Sequence, residues 1–118
     1  MPLIFILDDD DDTLFAMEYW LKRKGYSVES FVNAVQMLQG MKERMPDIFL
    51  LDVYLNGEDG REICKYLKKE EEVKKPVFLF SSYTDYSNDF QDYQVDGFLE
   101  KPYSMKEFSA MVKSKMTF

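Results

Sequence analysis

Histidine is absent from the 118 residues, and that absence removes Ser-His and Cys-His catalysis, imidazole metal ligands and a phosphohistidine carrier role. A single cysteine, Cys64, excludes an internal disulfide and points to a reducing, cytosolic compartment. No apolar stretch approaches the roughly 20 residues of a membrane span, and the short run behind Met1-Pro2 does not read as a secretory signal. Positive charge is in deficit, with 15 Lys+Arg against 22 Asp+Glu and a formal net charge of -7. That balance argues against nucleic acid or an anionic membrane as a direct partner.

What is present is enough for a core. The chain is 46% hydrophobic and 16% aromatic, which suits one compact domain of the usual size, roughly 100–150 residues. The expectation is a single domain over residues 1–118, with no effector or DNA-binding domain. Its most conspicuous feature is five consecutive aspartates, Asp8 to Asp12, directly behind the apolar run Leu3 to Leu7.

Short apolar runs alternate with longer amphipathic stretches, the pattern of an α/β fold. Leu3 to Leu7, Ile48 to Leu51 and Val77 to Phe80 read as strands buried on both faces of a parallel sheet. Tyr26 to Phe31 reads as a more polar edge strand, and Val95 to Leu99 as a short final one. Between them, Leu14, Met17 and Leu21 repeat at helical spacing up to Gly25. Ala34, Met37, Leu38 and Met41 mark a second helix, and Ile63, Cys64 and Leu67 a third. Asp85 to Gln94 is rich in Asp, Asn, Ser and Tyr, so a fourth helix there is short or poorly defined. Ser104-Met105-Lys106-Glu107 reads as a capping box, with Phe108, Met111 and Val112 facing inward behind it. Asn56 to Gly60 is turn chemistry. Five strand-helix units with right-handed crossovers give a three-layer, doubly wound parallel sheet whose active surface lies at the carboxyl ends of the strands.

The informative polar residues sit at those ends: Asp8 and Asp9, Asp52, Ser81 and Lys101. Three carboxylates gathered at one rim repel each other, and Mg²⁺ with oxygen ligands is the natural counter-charge. Such a metal can exchange water for phosphate oxygens and bring a phosphoryl group in line with a carboxylate, which makes Asp52 the candidate nucleophile. A hydroxyl and an ammonium would hold the remaining phosphoryl oxygens.

These residues resemble the response-regulator receiver family along essentially the whole chain. The matching elements are the apolar strand with Asp8-Asp9, the run Leu50-Leu51-Asp52-Val53-Tyr54-Leu55 with Asp59-Gly60 behind it, Ser81-Ser82, and Lys101-Pro102-Tyr103. The resemblance implies a flavodoxin-like five-stranded sheet of order 2-1-3-4-5. It implies that Asp52 accepts phosphate from a phosphohistidine on a partner, a histidine kinase or a histidine phosphotransfer protein. Asp9, Asp52 and the backbone carbonyl of Tyr54 would bind Mg²⁺ directly, with Asp8 acting mainly through water. Ser81 and Lys101 would contact the phosphoryl group, the Lys101-Pro102 bond would be cis, and Phe98 would be the switch aromatic. Phosphorylation would then change a face that meets a downstream effector, with room for a phosphorylation-dependent homodimer. The chain departs from the family at Asn56, where proline is common and whose replacement should loosen the turn after Asp52. Ser81 stands where threonine is commoner, and Gln94 where a small residue is common.

Three other readings compete. A Ca²⁺ loop fails because Thr13 and Tyr19 stand where glycine and a bidentate glutamate are needed. A flavin-nucleotide module fails because five aspartates would repel its phosphate. Asp9-Asp10-Asp11-Asp12-Thr13 also resembles the haloacid-dehalogenase phosphatases, with Asp9 as nucleophile and Asp11 as general acid, but the chain is short for that core plus cap. Within the aspartate run, Asp12 is assigned to the helix start and Asp10 and Asp11 to solvent. The charged run from Lys65 to Lys75 reads as a solvated helix end and loop. Cys64 reads as a small core residue, and Tyr54 and Tyr83 as rings flanking the pocket that shield it from hydrolytic water.

Overall fold

Leu3–Leu7 forms β1, and all five residues are buried. A strand with no solvent face must lie inside a sheet covered on both sides. The computed structural model describes residues 2–81, 94–100 and 104–115, and it places β1 between two parallel neighbours. One is β2 (Ser27–Phe31), the other β3 (Ile48–Asp52). Beyond β3 lie β6 (Val77–Ser81) and β7 (Gly97–Glu100), again parallel. The sheet order β2-β1-β3-β6-β7 is the expected 2-1-3-4-5 once β4 (Tyr54–Leu55) and β5 (Glu58–Asp59) are set aside. Those two pair antiparallel as a small separate hairpin where the sequence indicated only a turn.

Alternate residues of each strand face opposite sides, and each side has its own core. Ile4, Ile6, Ile48, Leu50, Phe78 and Phe80 pack against α1 (Asp11–Arg23) and α4 (Met105–Lys115), through Leu14, Met17, Leu21, Phe108 and Val112. Phe5, Leu7, Phe49, Leu51 and Leu79 pack against α2 (Ala34–Glu43) and α3 (Gly60–Lys69), through Met37, Met41, Ile63, Cys64 and Leu67. Each such buried side chain contributes roughly 1.5–3 kcal/mol, so the layers specify where the strand ends lie.

Helix ends follow from capping. α1 closes on Gly25 at φ 97, with Gly25 N–H on the Lys22 carbonyl and Tyr26 N–H on the Leu21 carbonyl, a glycine-dependent Schellman arrangement. Ser104 Oγ accepts from Glu107 N–H at 3.1 Å, as the capping box predicts. At the start of α1, Asp10 and Asp11 are solvent-exposed and Asp12 lies in the first turn, as the sequence indicated. Asp10 has a second role as the N-cap, accepting from Asp12 N–H and Thr13 Oγ1. Asp11 and Asp12 occupy the first turn, where carboxylates favour the helix dipole. Lys68 is also more than a solvated charge. It pairs with Asp96 at 2.8 Å and donates to the Lys75 carbonyl, while Asp96 accepts from Val77 N–H, tying the end of α3 to the start of β6. The fourth helix expected around Asp85 to Gln94 lies, except for Gln94, outside the described residues.

Candidate functional site

β1 and β3 are adjacent and parallel, with Leu7 opposite Leu51. The residues that follow each strand therefore emerge together at one rim. Asp8 is 1% and Asp52 7% exposed, whereas Asp9 is exposed. Asp8, Asp9 and Asp52 each bring one carboxylate oxygen within 4.8 Å of the others. Three like charges at that spacing repel, and an all-oxygen donor set fits a hard divalent cation such as Mg²⁺. In a chain without histidine and with its lone thiol buried in the α2–α3 core, the cluster offers a softer metal no imidazole or thiolate.

Backbone groups hold the carboxylates. Asp10 N–H donates to Asp8 Oδ1 at 3.0 Å, and Asp8 N–H reaches the Phe31 carbonyl. Tyr54 N–H lies 3.4 Å from Asp52 Oδ1. Asn56 N–H donates to Asp9 Oδ2 at 2.7 Å. The expected loosening of the turn at Asn56 is thus offset by a bond across the site, since proline has no N–H to give. Sequence reasoning missed this contact because it belongs to the backbone of residue 56, not to its side chain.

Gly60 is a second residue whose role is visible only in three dimensions. Its N–H donates to the Val53 carbonyl at 2.8 Å, and a Cβ built on it would collide with the carbonyl oxygen of Asp52. Glycine is required there by close backbone approach. Beside it, Asp59 caps α3 and pairs with Arg61 at 2.7 Å. Burial acts to raise the Asp59 carboxyl, but hydrogen bonds and charge from Arg61, with the backbone N–H of Glu62, hold it below its ordinary value. Glu58 Oε1 accepts from Ala34 N–H, so the hairpin that follows Asp52 touches the start of α2 as well.

Ser81 is fully buried and ends β6, one residue beyond Phe80, which pairs with Asp52. Val53 N–H on the Phe80 carbonyl keeps the two strand ends in step. Ser81 in turn pairs with Glu100 on β7. Lys101 and Pro102 come next and lie outside the described residues, as do Ser82, Tyr83 and Tyr103. Phe98 is half-buried, opposite Leu79 and packed on the α2–α3 side of the sheet. The Tyr54 ring is exposed. Cys64 is buried among apolar side chains, and burial pushes its thiol up to about 12. That is a core residue, as the sequence indicated, and not a nucleophile.

Comparison with known proteins agrees with this geometry. Residues 4–113 match the response regulator receiver domain family. The transcriptional regulatory protein AfsQ1 of Streptomyces coelicolor is 32% identical over 85 residues, which are 72% of this chain and 37% of AfsQ1. The chain thus spans well under half the length of that curated relative. Among solved structures, the response regulator TrrA of Thermotoga maritima in complex with Mg²⁺-BeF superposes with a TM-score of 0.88 at 22% identity, covering 98% of this chain and 100% of TrrA. The chemotaxis protein CheY4 of Vibrio cholerae gives 0.90 at 18% identity, covering 98% and 99%. Nothing in these matches favours the haloacid-dehalogenase alternative. No described helix is long and apolar enough to cross a membrane. With the family matched over nearly its full length, the chain belongs to the response regulator receiver domains of two-component signalling.

Proposed function

We propose that Asp52 is the phosphoacceptor of this receiver and that Asp8 and Asp9 complete its Mg²⁺ site, with the Tyr54 carbonyl as a further ligand. The observation that carries the reading is the placement of Asp52. It is nearly buried at the end of the central strand, with two other carboxylates within 4.8 Å. When bound there, Mg²⁺ supplies the positive charge that lets an anionic phosphoryl group approach three carboxylates. A carboxylate oxygen of Asp52 forms the new bond to phosphorus as the bond from phosphorus to the donor's imidazole nitrogen breaks, the nitrogen leaving with the electron pair. Ser81 donates its hydroxyl to one phosphoryl oxygen, and Lys101 neutralises another. The chain contributes position and charge and catalyses only its own phosphorylation and dephosphorylation.

In this reading residues 1–118 act as one receiver unit. Phosphate on Asp52 draws Ser81 towards it and biases Phe98, altering the surface offered to a downstream effector protein or to a second copy. The donor is a histidine kinase or histidine phosphotransfer protein, since the chain has no histidine of its own. A cytoplasmic location belongs to the same reading, supported by a lone free thiol.

The test is incubation with Mg²⁺ and acetyl phosphate, followed by mass mapping of the modified residue after trapping the acyl phosphate. Label on Asp52, absent in Asp52→Asn, is the expected result. Label on Asp9 would overturn the assignment and revive the phosphatase reading.

A further inference from the structure

On the α1–α4 side of the sheet the two helices leave a cleft of about 490 Å³ lined by Trp20, Lys24, Lys106, Ser109, Ala110 and Lys113. Its composition runs against that of the chain. In a protein of net charge -7, every ionisable group among the described residues lining this cleft is a lysine. Ser109 and Ala110, the small residues between Lys106 and Lys113 on α4, keep the trough open between the two helices. Trp20 forms the aromatic wall. Its ring packs edge-on against buried Phe108 at 5.8 Å, and Lys24 Nζ sits 5.3 Å from its centroid. The wall is therefore anchored in the core while its outer part stays half-exposed.

We infer that this cleft is a docking site for an acidic protein segment that carries an apolar side chain for Trp20. Spacing favours an extended row of carboxylates over a compact anion. Lys106 and Lys113 are seven residues apart on one helix, about 10 Å along its axis at 1.5 Å per residue. Lys24 is the C-cap of the other helix. Ammonium groups carried at that backbone spacing match acids placed one and two turns apart on a peptide. The overall negative charge opposes a polyanionic surface such as nucleic acid or an anionic bilayer, which would meet the whole molecule and not the cleft alone. A narrow acidic segment senses mainly the charges close to the cleft, because those farther away than about 8 Å are largely screened at physiological salt. The inference does not depend on phosphorylation of Asp52.

Trp20 is the chain's only tryptophan, so its fluorescence reads the cleft directly. The probe is a 14-residue helical peptide with glutamates at i, i+4 and i+7 and a leucine on the same face, titrated into the full chain. Its glutamine counterpart, tripolyphosphate and phosphatidylglycerol vesicles serve as comparison arms. The expected result is a saturable change in Trp20 emission with the glutamate peptide that weakens with added salt and is absent with the glutamine peptide. Lys106→Gln/Lys113→Gln, folded by far-ultraviolet circular dichroism, should bind roughly tenfold more weakly, the loss expected for two exposed charge pairs. Equal binding by that double variant would overturn the inference, as would no emission change with the peptide. Saturation by tripolyphosphate or by the vesicles without the peptide would reassign the cleft to a small polyanion or a lipid surface and would also overturn it.

Discussion

The backbone N–H of Asn56 donates to Oδ2 of Asp9 at 2.7 Å, and so the loop after the proposed phosphoacceptor holds the most exposed member of the carboxylate cluster. The bond leaves the other oxygen of Asp9 available for a cation while fixing the direction in which it points. Mg²⁺ should raise the thermal midpoint of the chain by relieving carboxylate repulsion and by binding only the folded state. Asn56→Pro, which removes the N–H, should weaken Mg²⁺ binding about fivefold, the scale of one hydrogen bond to a charged group in partial contact with water. Asn56→Ala keeps the N–H and should bind as the parent does. Asp9→Asn should abolish the Mg²⁺ increment altogether. Thermal melts across a Mg²⁺ titration measure all three, and an undiminished increment in Asp9→Asn would place the ion elsewhere.

Gly60 faces the Asp52 carbonyl so closely that a methyl group cannot be added without moving one backbone or the other. Gly60→Ala should therefore cost about 1–3 kcal/mol in a urea titration, the range for overpacking a close contact. The displacement falls on the residue proposed to carry phosphate, so the same variant should be phosphorylated more slowly by acetyl phosphate. Alanine at Gly57, which has φ 78 but open space around it, should strain only the turn and leave the phosphorylation rate near that of the parent.

The contrast between these two glycines shows where reading the sequence stops. Leu3–Leu7, Ile48–Asp52 and Val77–Ser81 were legible because a strand buried on both faces has an unbroken apolar signature. The polar residues at their ends were legible for the same reason: Asp8, Asp52 and Ser81 are the first polar residues after each run. What stayed hidden depends on distance between backbones. Nothing in the pentapeptide Asn56 to Gly60 distinguishes a glycine needed for φ from one needed for clearance, or a hairpin from a turn. Similarly, five aspartates in a row offer several equivalent N-caps, and only the chain path selects Asp10.

Cys64 should be silent to thiol reagents in the folded state. Its sulfur is buried, and its thiol is pushed up to about 12 by loss of solvation. At pH 8 an aromatic disulfide reagent should label it only as fast as the protein opens, and urea should expose it fully. The same shift has a stability consequence. Because the folded value lies above the ordinary 9.0, the neutral thiol's contribution is fully present below pH 9 and is lost as pH rises towards 12. Cys64→Ala removes that alkaline loss at the expense of some packing, and a urea midpoint that still falls equally steeply above pH 9 would assign it to other groups.

Asp59 behaves oppositely. Arg61 holds its carboxyl below the ordinary 3.8 despite partial burial, so its contribution is complete above that value and is lost as pH falls through the lower folded value. Because Asp59 is 35% and Arg61 15% exposed, solvent screens the pair, and its worth is expected near about 0.5 kcal/mol. The more sensitive readout is the titration itself. In Arg61→Gln, burial acts on Asp59 with two fewer opposing influences, and the carboxyl should titrate at a higher pH than in the parent. Carbon-detected NMR of the Asp59 side chain across pH 2 to 6 follows that displacement. A carboxyl that titrates unchanged in Arg61→Gln would mean that the backbone N–H groups at the start of α3 hold it down by themselves.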